Sequence, residues 1–269
     1  MPRPLPPGLQ VRQARADDVP SLATLLSLTP DDGTLYQYPH VLKYPDDMHL
    51  DWLRPLVHDP TSLIRIVVVP VDGKDKFVGF SCWTRQEADP LDPTKTRPAK
   101  IAAEVPVADE VEKDITNDSP PSEEQSEVLV PNEARAAAIE RGRKRGSPSP
   151  AKTTPCYELG GLVVHPDYQG HGIGSLLVRW GLDEAAKERV PVFVGGETQG
   201  VDFYEKALGF QRLSPTEFWL DAEGRDITRE EVKSGNEGWK KENGGVSGAE
   251  LVWLPDGYVF ELDNEVYKG

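Results

Sequence analysis

The chain has 269 residues, with 45 acidic side chains against 30 Lys and Arg and a formal net charge of −15. That balance excludes DNA or RNA as the main partner, because holding phosphates calls for a basic surface; it suits an amine substrate of cationic character, although ordinary solubility accounts for it as well. Two cysteines, Cys82 and Cys156, give no disulfide framework, no apolar run approaches the roughly 20 residues that span a bilayer, and the proline-broken start Met1–Pro7 has no apolar signal region. The cytosol is therefore the expected compartment, with the nucleus as the alternative and no membrane partner. A hydrophobic fraction of 38% and a mean hydropathy of −0.50 are low for a fully compact chain, so part of it is expected to be unfolded.

In chain order, Leu9–Gln13 alternates as a short strand. It leads into Ala14-Arg15-Ala16-Asp17-Asp18, where Asp17 or Asp18 can cap a helix with Leu22, Leu25 and Leu26 on one face. Residues 29–46 are polar and rich in Tyr and Pro. A second helix is expected over His49–His58, with Leu50, Leu53, Leu56 and Val57 inward. Ile64–Val69 and Phe77–Thr84 are β-branched or aromatic runs with Asp72-Gly73 between them, the pattern of an antiparallel hairpin.

The character of the chain changes at Gln86. Residues 86–155 hold ten of the 25 prolines, mixed acids and Ser-Pro repeats at Ser147–Pro150; only Glu133–Arg145 has helical propensity, with an apolar face of mere alanine. Such a segment buries too little apolar area to offset its ordering entropy, so a long disordered insertion is expected between the third and fourth strands. The basic run Arg141–Arg145 reads as a solvated helix end, or else as a nuclear-import address. Order returns with a fourth strand over Tyr157–Val164 and a helix to about Lys187 that buries Ile173, Leu176, Leu177 and Trp180. A fifth strand follows at Pro191–Val194, then a short helix around Tyr204, and a sixth strand or strand pair within Phe210–Leu220. Residues 221–269 read as a C-terminal extension in which Glu250–Leu254 and Tyr258–Leu262 flank Pro255-Asp256-Gly257 as a hairpin.

The most informative stretch is Leu162-Val163-Val164-His165-Pro166-Asp167-Tyr168-Gln169-Gly170-His171-Gly172-Ile173-Gly174-Ser175. A strand that passes through a glycine-rich turn into a helix aims unpaired backbone N–H groups at one point, where the helix dipole adds about half a positive charge. That is a site for a phosphate or pyrophosphate. A nucleoside-triphosphate loop would end in Gly-Lys-Ser/Thr, and here Ser175 follows Gly174 with no lysine. A dinucleotide loop would place its third glycine one position later, with an acidic residue further on, where this chain has Val190-Pro191-Val192-Phe193-Val194.

The arrangement Gln169-x-x-Gly172-x-Gly174 resembles instead the pyrophosphate loop of the GNAT superfamily of acetyl-CoA-dependent N-acetyltransferases. A second stretch, Val201-Asp202-Phe203-Tyr204-Glu205-Lys206-Ala207-Leu208-Gly209-Phe210, is similar to that family's short helix ending at a glycine. The resemblance covers about 10–85 loosely and 157–213 well. It implies an α/β fold with a mixed, mostly antiparallel central sheet flanked by helices, here over residues 9–220 and interrupted by 86–155. It also implies an acyltransferase that moves acetyl from acetyl-CoA to a primary amine by direct attack in a ternary complex, without a metal. The alternatives are a non-catalytic acetyl-CoA-binding module and a protein lysine acetyltransferase.

Under that resemblance, the backbones of Gln169, Gly170, His171, Gly172, Ile173 and Gly174, with Ser175, hold the pyrophosphate. The glycines permit close approach. Leu162, Val163 and Val164 pair with the pantetheine arm where the fourth strand splays from the fifth, and a backbone N–H there serves as oxyanion donor. Gln199 stands near a position where relatives often carry an asparagine that touches the cofactor. An alkyl amine with a pKa of about 10.4 is neutral only about once in 10³ molecules at pH 7, so a base helps. Glu158, eleven residues before Gln169, is the candidate, and strand parity puts Glu158, Gly160 and Leu162 on one face. His165 is a second candidate. Tyr204 is the expected proton donor to the departing thiolate. Aromatic and acidic residues of the 29–48 loop, among them Asp31, Asp32, Tyr36, Tyr38, His40, Asp46 and Asp47, are suited to a cation.

Overall fold

The computed structural model describes residues 3–41, 44–45, 49–92, 94–101, 129–145 and 149–269. Its frame is one twisted sheet in the order β1 (Gln10–Gln13), β2 (Ser62–Val71), β3 (Lys74–Ala88), β5 (Cys156–Val164), β6 (Val192–Glu197), β9 (Val246–Trp253) and β7 (Gln211–Arg212). Two short strands hang on it, β4 (Thr96–Ala99) beside β3 and β8 (Phe218–Leu220) beside β9. Neighbours pair antiparallel except β5 with β6, which run parallel because the helix α5 (Ile173–Glu188) carries the chain across. The β2–β3 turn has Asp72 at φ 50° and Gly73 at φ 75°, the left-handed pair that a two-residue hairpin demands.

One face of the sheet is covered by α1 (Val19–Leu28) and α3 (Leu50–His58), whose Leu22, Leu25 and Leu53 are fully buried against Ile64, Ile66, Phe80 and Cys82. The other face takes α5 and α6 (Thr198–Leu208): Val178, Leu182, Ala185, Val201, Tyr204 and Leu208 share a cluster with Trp83, Leu159 and Val194. Both helices obey local stop signals. α6 ends at Gly209 with φ 75°, as expected from the sequence, and α5 ends at Arg189 in the same left-handed region. At the start of α1, Asp18 does not cap the helix with its side chain. It grips Arg12 in a two-pronged ion pair (2.6 and 2.9 Å) and accepts from the Arg15 amide at 2.7 Å, so it ties strand β1 to the turn.

Three expectations change. The 250–254 segment is no peripheral hairpin strand: β9 lies inside the main sheet between β6 and β7, with Leu251 packed in the α5/α6 cluster and Val252 in the cluster of the opposite face. A strand covered on both faces reads as a short apolar run, which the sequence alone does not separate from a hairpin arm. The actual C-terminal hairpin is β10 (Val259–Leu262) with β11 (Glu265–Lys268), turned through Asp263 and Asn264 at φ 49° and 66°. Its Phe260 and Tyr267 cover Phe193 and Val252. No boundary at residue 220 therefore separates an extension from the core.

The third change concerns 86–155. Residues 93, 102–128 and 146–148 lie outside the described residues, and the bounds of the expected insertion narrow because 86–88, 96–99 and 133–143 are folded onto the sheet. β3 runs on to Ala88, β4 pairs with it, and α4 (Glu133–Arg143) buries Ala138 and Ile139 against Phe218, Leu220, Val246 and Tyr36, the last from α2 (Asp32–Gln37). The alanine face found its apolar partners more than 70 residues away, where no local composition could show them. The run Arg141–Arg145 is likewise engaged. Arg143 meets Glu197, Arg145 meets Asp226, and Lys144 bonds Glu140 at 2.6 Å.

Candidate active site

The site begins where two neighbouring strands part. β5 and β6 pair only through Tyr157–Val192, Glu158–Phe193 and Leu159–Val194; beyond these positions the strands diverge and leave a V-shaped opening. A cavity of about 700 Å³ occupies it, lined by residues 158–162 of β5, 194–197 of β6 and Tyr204 of α6. On the β5 side, the amide of His165 donates to Val78 of β3 at 2.9 Å. Hydrogen-bonding direction alternates along an antiparallel strand. Val163 therefore also points its backbone toward β3, whereas Leu162 and Val164 turn theirs toward the opening. Of the three expected strand residues, two present backbone donors to the opening and Val163 does not.

Glu158 reaches the cavity, but not on the face it was expected to share with Leu162. Trp83 pairs with Leu159 and Cys82 with Gly161, so Gly160 is an extra residue bulged out of the ladder. The bulge reverses parity: Glu158 and Gly161 share the α3 face, and Leu159 and Leu162 the α5/α6 face. Above Gly161 stands Trp52 of α3, 3.4 Å from where a Cβ would lie, and the indole forms this wall of the cavity. The Glu158 carboxylate takes a long hydrogen bond (3.5 Å) from Nε2 of Gln86, itself buried in β3.

Tyr204 faces the cavity from the other arm of the V. Its ring sits among Phe203 and Phe210 (centroids 5.4 and 5.5 Å away), and among the described residues its hydroxyl makes no hydrogen bond. Burial pushes the phenol well above its ordinary value, so it stays protonated at neutral pH. Gln199, also at the cavity, donates its backbone amide to Asp32 at 3.1 Å. His165 is placed differently: its Nδ1 accepts from the Asp167 amide at 3.2 Å and it does not line the cavity. Burial, with the charge of Lys76, lowers its pKa.

The glycine loop lies past the C-terminal end of β5. Gly172 is the residue before α5, at φ 79° and with no side chain over the helix start, and Gly170 has φ 78°. The first-turn amides of α5, at Ile173, Gly174 and Ser175, have no carbonyl four residues back within the helix to receive them. Phe203 packs 3.3 Å from the Cβ position of Gly174, which seats the start of α5 against α6. Gln169 folds back, its Nε2 donating to Val164 O at 3.2 Å. The N-terminal segment lies alongside: Arg3 N donates to Gly170 O, and His171 Nδ1 to Pro4 O at 2.7 Å.

Apart from Asp32, a loop candidate, much of the far wall comes from residues that the sequence did not single out for the site. Glu197 accepts from the Gly33 amide at 2.6 Å and from Arg143 through two nitrogens, at 2.9 and 2.5 Å. Asp32 receives Lys241 at 2.7 Å. Glu250 of β9 and Ser149 complete the lining. These residues come from α2, α4, β6, β9 and the loops before β5 and β9, and only the Gly195-Gly196-Glu197 run at the end of a strand is a local hint of a site. Among the loop candidates, Asp31 is spent on capping α2, and Tyr36 is buried with its hydroxyl on Asp221 O at 2.7 Å. Asp46 and Asp47 lie outside the described residues. Among the described residues no cluster of side chains could hold a metal ion, and no helix is long and apolar enough to cross a membrane.

Part of the chain is similar to a known family. Residues 122–210 match the family model described as the Acetyltransferase (GNAT) family. A stretch of 43 residues is 51% identical to "Probable acyltransferase SID5" of Ajellomyces capsulatus, spanning 16% of this chain and 31% of that protein. Among solved structures, Arabidopsis thaliana NAA60 in complex with a bisubstrate analogue is 10% identical over 93% of this chain and 99% of its own, with a TM-score of 0.48. A mosquito arylalkylamine N-acetyltransferase-like protein is 17% identical over 91% of this chain and 99% of its own, with a TM-score of 0.44. These structural likenesses are distant. Over residues 122–210 the chain is thus similar to the GNAT acetyltransferases, and its mixed sheet flanked by helices is the α/β fold expected from its sequence.

Proposed function

We propose that this acyltransferase domain transfers an acetyl group from acetyl-CoA to a primary amine within a ternary complex. The observation that carries the reading is the opening between β5 and β6, with a carboxylate on one arm, a protonated phenol on the other and the glycine loop beyond its end. When bound, acetyl-CoA supplies an activated acyl carbon and a thiolate leaving group. The amides of Gly172, Ile173, Gly174 and Ser175, backed by the dipole of a 16-residue helix, hold its pyrophosphate, with Gln169, Gly170 and His171 shaping the loop. The backbones of Leu162 and Val164 pair with the pantetheine arm, and one of their N–H groups donates to the thioester oxygen as it gains charge.

Glu158 takes the proton of the attacking nitrogen, directly or through water. Tyr204, kept protonated by burial, gives its proton to the departing sulfur. Gln199 holds α2 to the α6 start through Asp32 and contributes to the cofactor side of the cavity. An alkyl amine is the acceptor class that suits the carboxylates in the lining.

Calorimetric titration with acetyl-CoA, comparing wild type with Gly172→Glu, tests the reading. Binding in the micromolar range that the variant loses is the expected outcome, since a carboxylate would project at the phosphate site and a side chain at φ 79° is strained. Glu158→Gln and Tyr204→Phe should each lower kcat by about 10²-fold with acetyl-CoA binding intact. Wild type that binds no acetyl-CoA would defeat the proposal.

A further inference from the structure

Glu250 belongs to none of the motifs that pointed to the site, yet the sheet register carries it to Glu158. Glu158 stands opposite Phe193, and Phe193 opposite Val252, so the three share one row and one face of the sheet. Glu250, two residues from Val252, is on that same face and opposite Gly195. Gly195 leaves its place in the row empty: a Cβ built there meets nothing within 4 Å. The two carboxylates therefore line one cavity across a floor that has no side chain between them. Each is steadied by a neutral donor, Glu158 by Gln86 Nε2 and Glu250 by Ser149 Oγ at 2.5 Å, and neither has an ion-pair partner among the described residues.

We propose that Glu250 is a second acid–base residue of this site, which relays to solvent the proton that Glu158 removes from an acceptor arriving as an alkylammonium ion. This rests on the acetyltransferase reading above. An ammonium must shed two protons to become an amide. In the first step an N–H bond breaks, and the proton passes to Glu158 and on to Glu250, which releases it to water. The free lone pair then attacks the acyl carbon, and the C–S bond breaks as sulfur takes the Tyr204 proton. The second nitrogen proton leaves as the C–N bond forms and restores the phenol by way of Glu158, so that one proton in total reaches solvent. Burial raises the Glu250 pKa, with Glu158 adding in the same direction, and this brings it toward the pH at which a relay is useful. The other charged groups around it are few. Lys152 of the 150–152 turn opposes the shift, and Arg143, Glu197, Lys241 and Asp32 on the far wall are tied in the pairs described above.

The test compares wild type with Glu250→Gln and Glu250→Asp in acetyl transfer to 1,4-diaminobutane, phenethylamine and a peptide N-terminus, at pH 5 to 9. For whichever amine wild type uses best, Glu250→Gln should lower kcat by 10- to 100-fold and leave KM for acetyl-CoA unchanged. Its acid limb should change, because the raised Glu250 titration is gone, and Glu250→Asp should regain part of the rate. Carbonyl-labelled glutamate followed by NMR should lose one raised titration in Glu250→Gln. If both variants keep wild-type kcat and the same acid limb, this inference falls while the acetyltransferase reading stands. If wild type turns over none of the amines although it binds acetyl-CoA, both fall.

Discussion

Glu197 decides whether α4 is part of the site's wall. Its carboxylate, 14% exposed, is the shared acceptor for the Gly33 amide of α2 and for Arg143 of α4. Glu197→Ala leaves a part-buried N–H without a partner, which costs about 1–3 kcal/mol, and removes a two-nitrogen ion pair besides. Arg143 is half-exposed, so solvent screens that pair, and its coupling is set at about 1 kcal/mol, the top of the surface range. The single variant should thus lose about 2–4 kcal/mol, roughly 4–16 °C in Tm for a chain of this size. Burial and the nearby Asp31 charge raise the Glu197 pKa, more than Arg143 and the Gly33 amide lower it. An acid raised on folding contributes stability that is lost as pH rises through its folded value, so part of the loss in Glu197→Ala is offset at higher pH. A double-mutant cycle with Arg143→Ala isolates the pair from that desolvation, read by urea denaturation at pH 7. A coupling energy below about 0.3 kcal/mol would refute the claim that this pair fastens α4 to the sheet.

Two further outcomes follow from the packing. Asp18 is pushed up by burial but pulled below the usual carboxylate range by Arg12 and the Arg15 amide, which prevail. Its stabilisation is therefore complete above the ordinary value of about 3.9 and disappears as pH falls through the lowered one; Asp18→Asn should cost about 1–3 kcal/mol at pH 7 and progressively less as pH falls below the ordinary value, as read by urea melts across that range. Gly181 lies under Trp83, whose ring atoms would stand 2.2 to 2.5 Å from an added Cβ. The indole is fully buried and bonded to Ser81, so Gly181→Ala should destabilise by about 1–3 kcal/mol, and an unchanged denaturation midpoint would contradict this packing.

What the sequence determined by itself was local. The Asp72-Gly73 turn, the left-handed stop at Gly209 and the glycines before α5 follow from backbone conformations that few residues adopt, so composition announces them. The alternation of β2 and β3 and the leucine face of α1 are likewise written within a few residues. Glu158 and Tyr204 could be singled out because each stands at a fixed distance from such a landmark. The rest was decided by partners distant in the chain. A single bulged residue, Gly160, set which side of β5 meets the opening, and pairing that ends after Leu159 made the opening itself. α4 looked too poor in apolar groups to fold until Phe218, Leu220 and Val246 supplied its cover. Glu197, Arg143 and Glu250 come together from β6, α4 and β9 for the same reason. Side-chain burial and charge pairing depend on which surfaces meet, and only the closed sheet with its covering helices settles that.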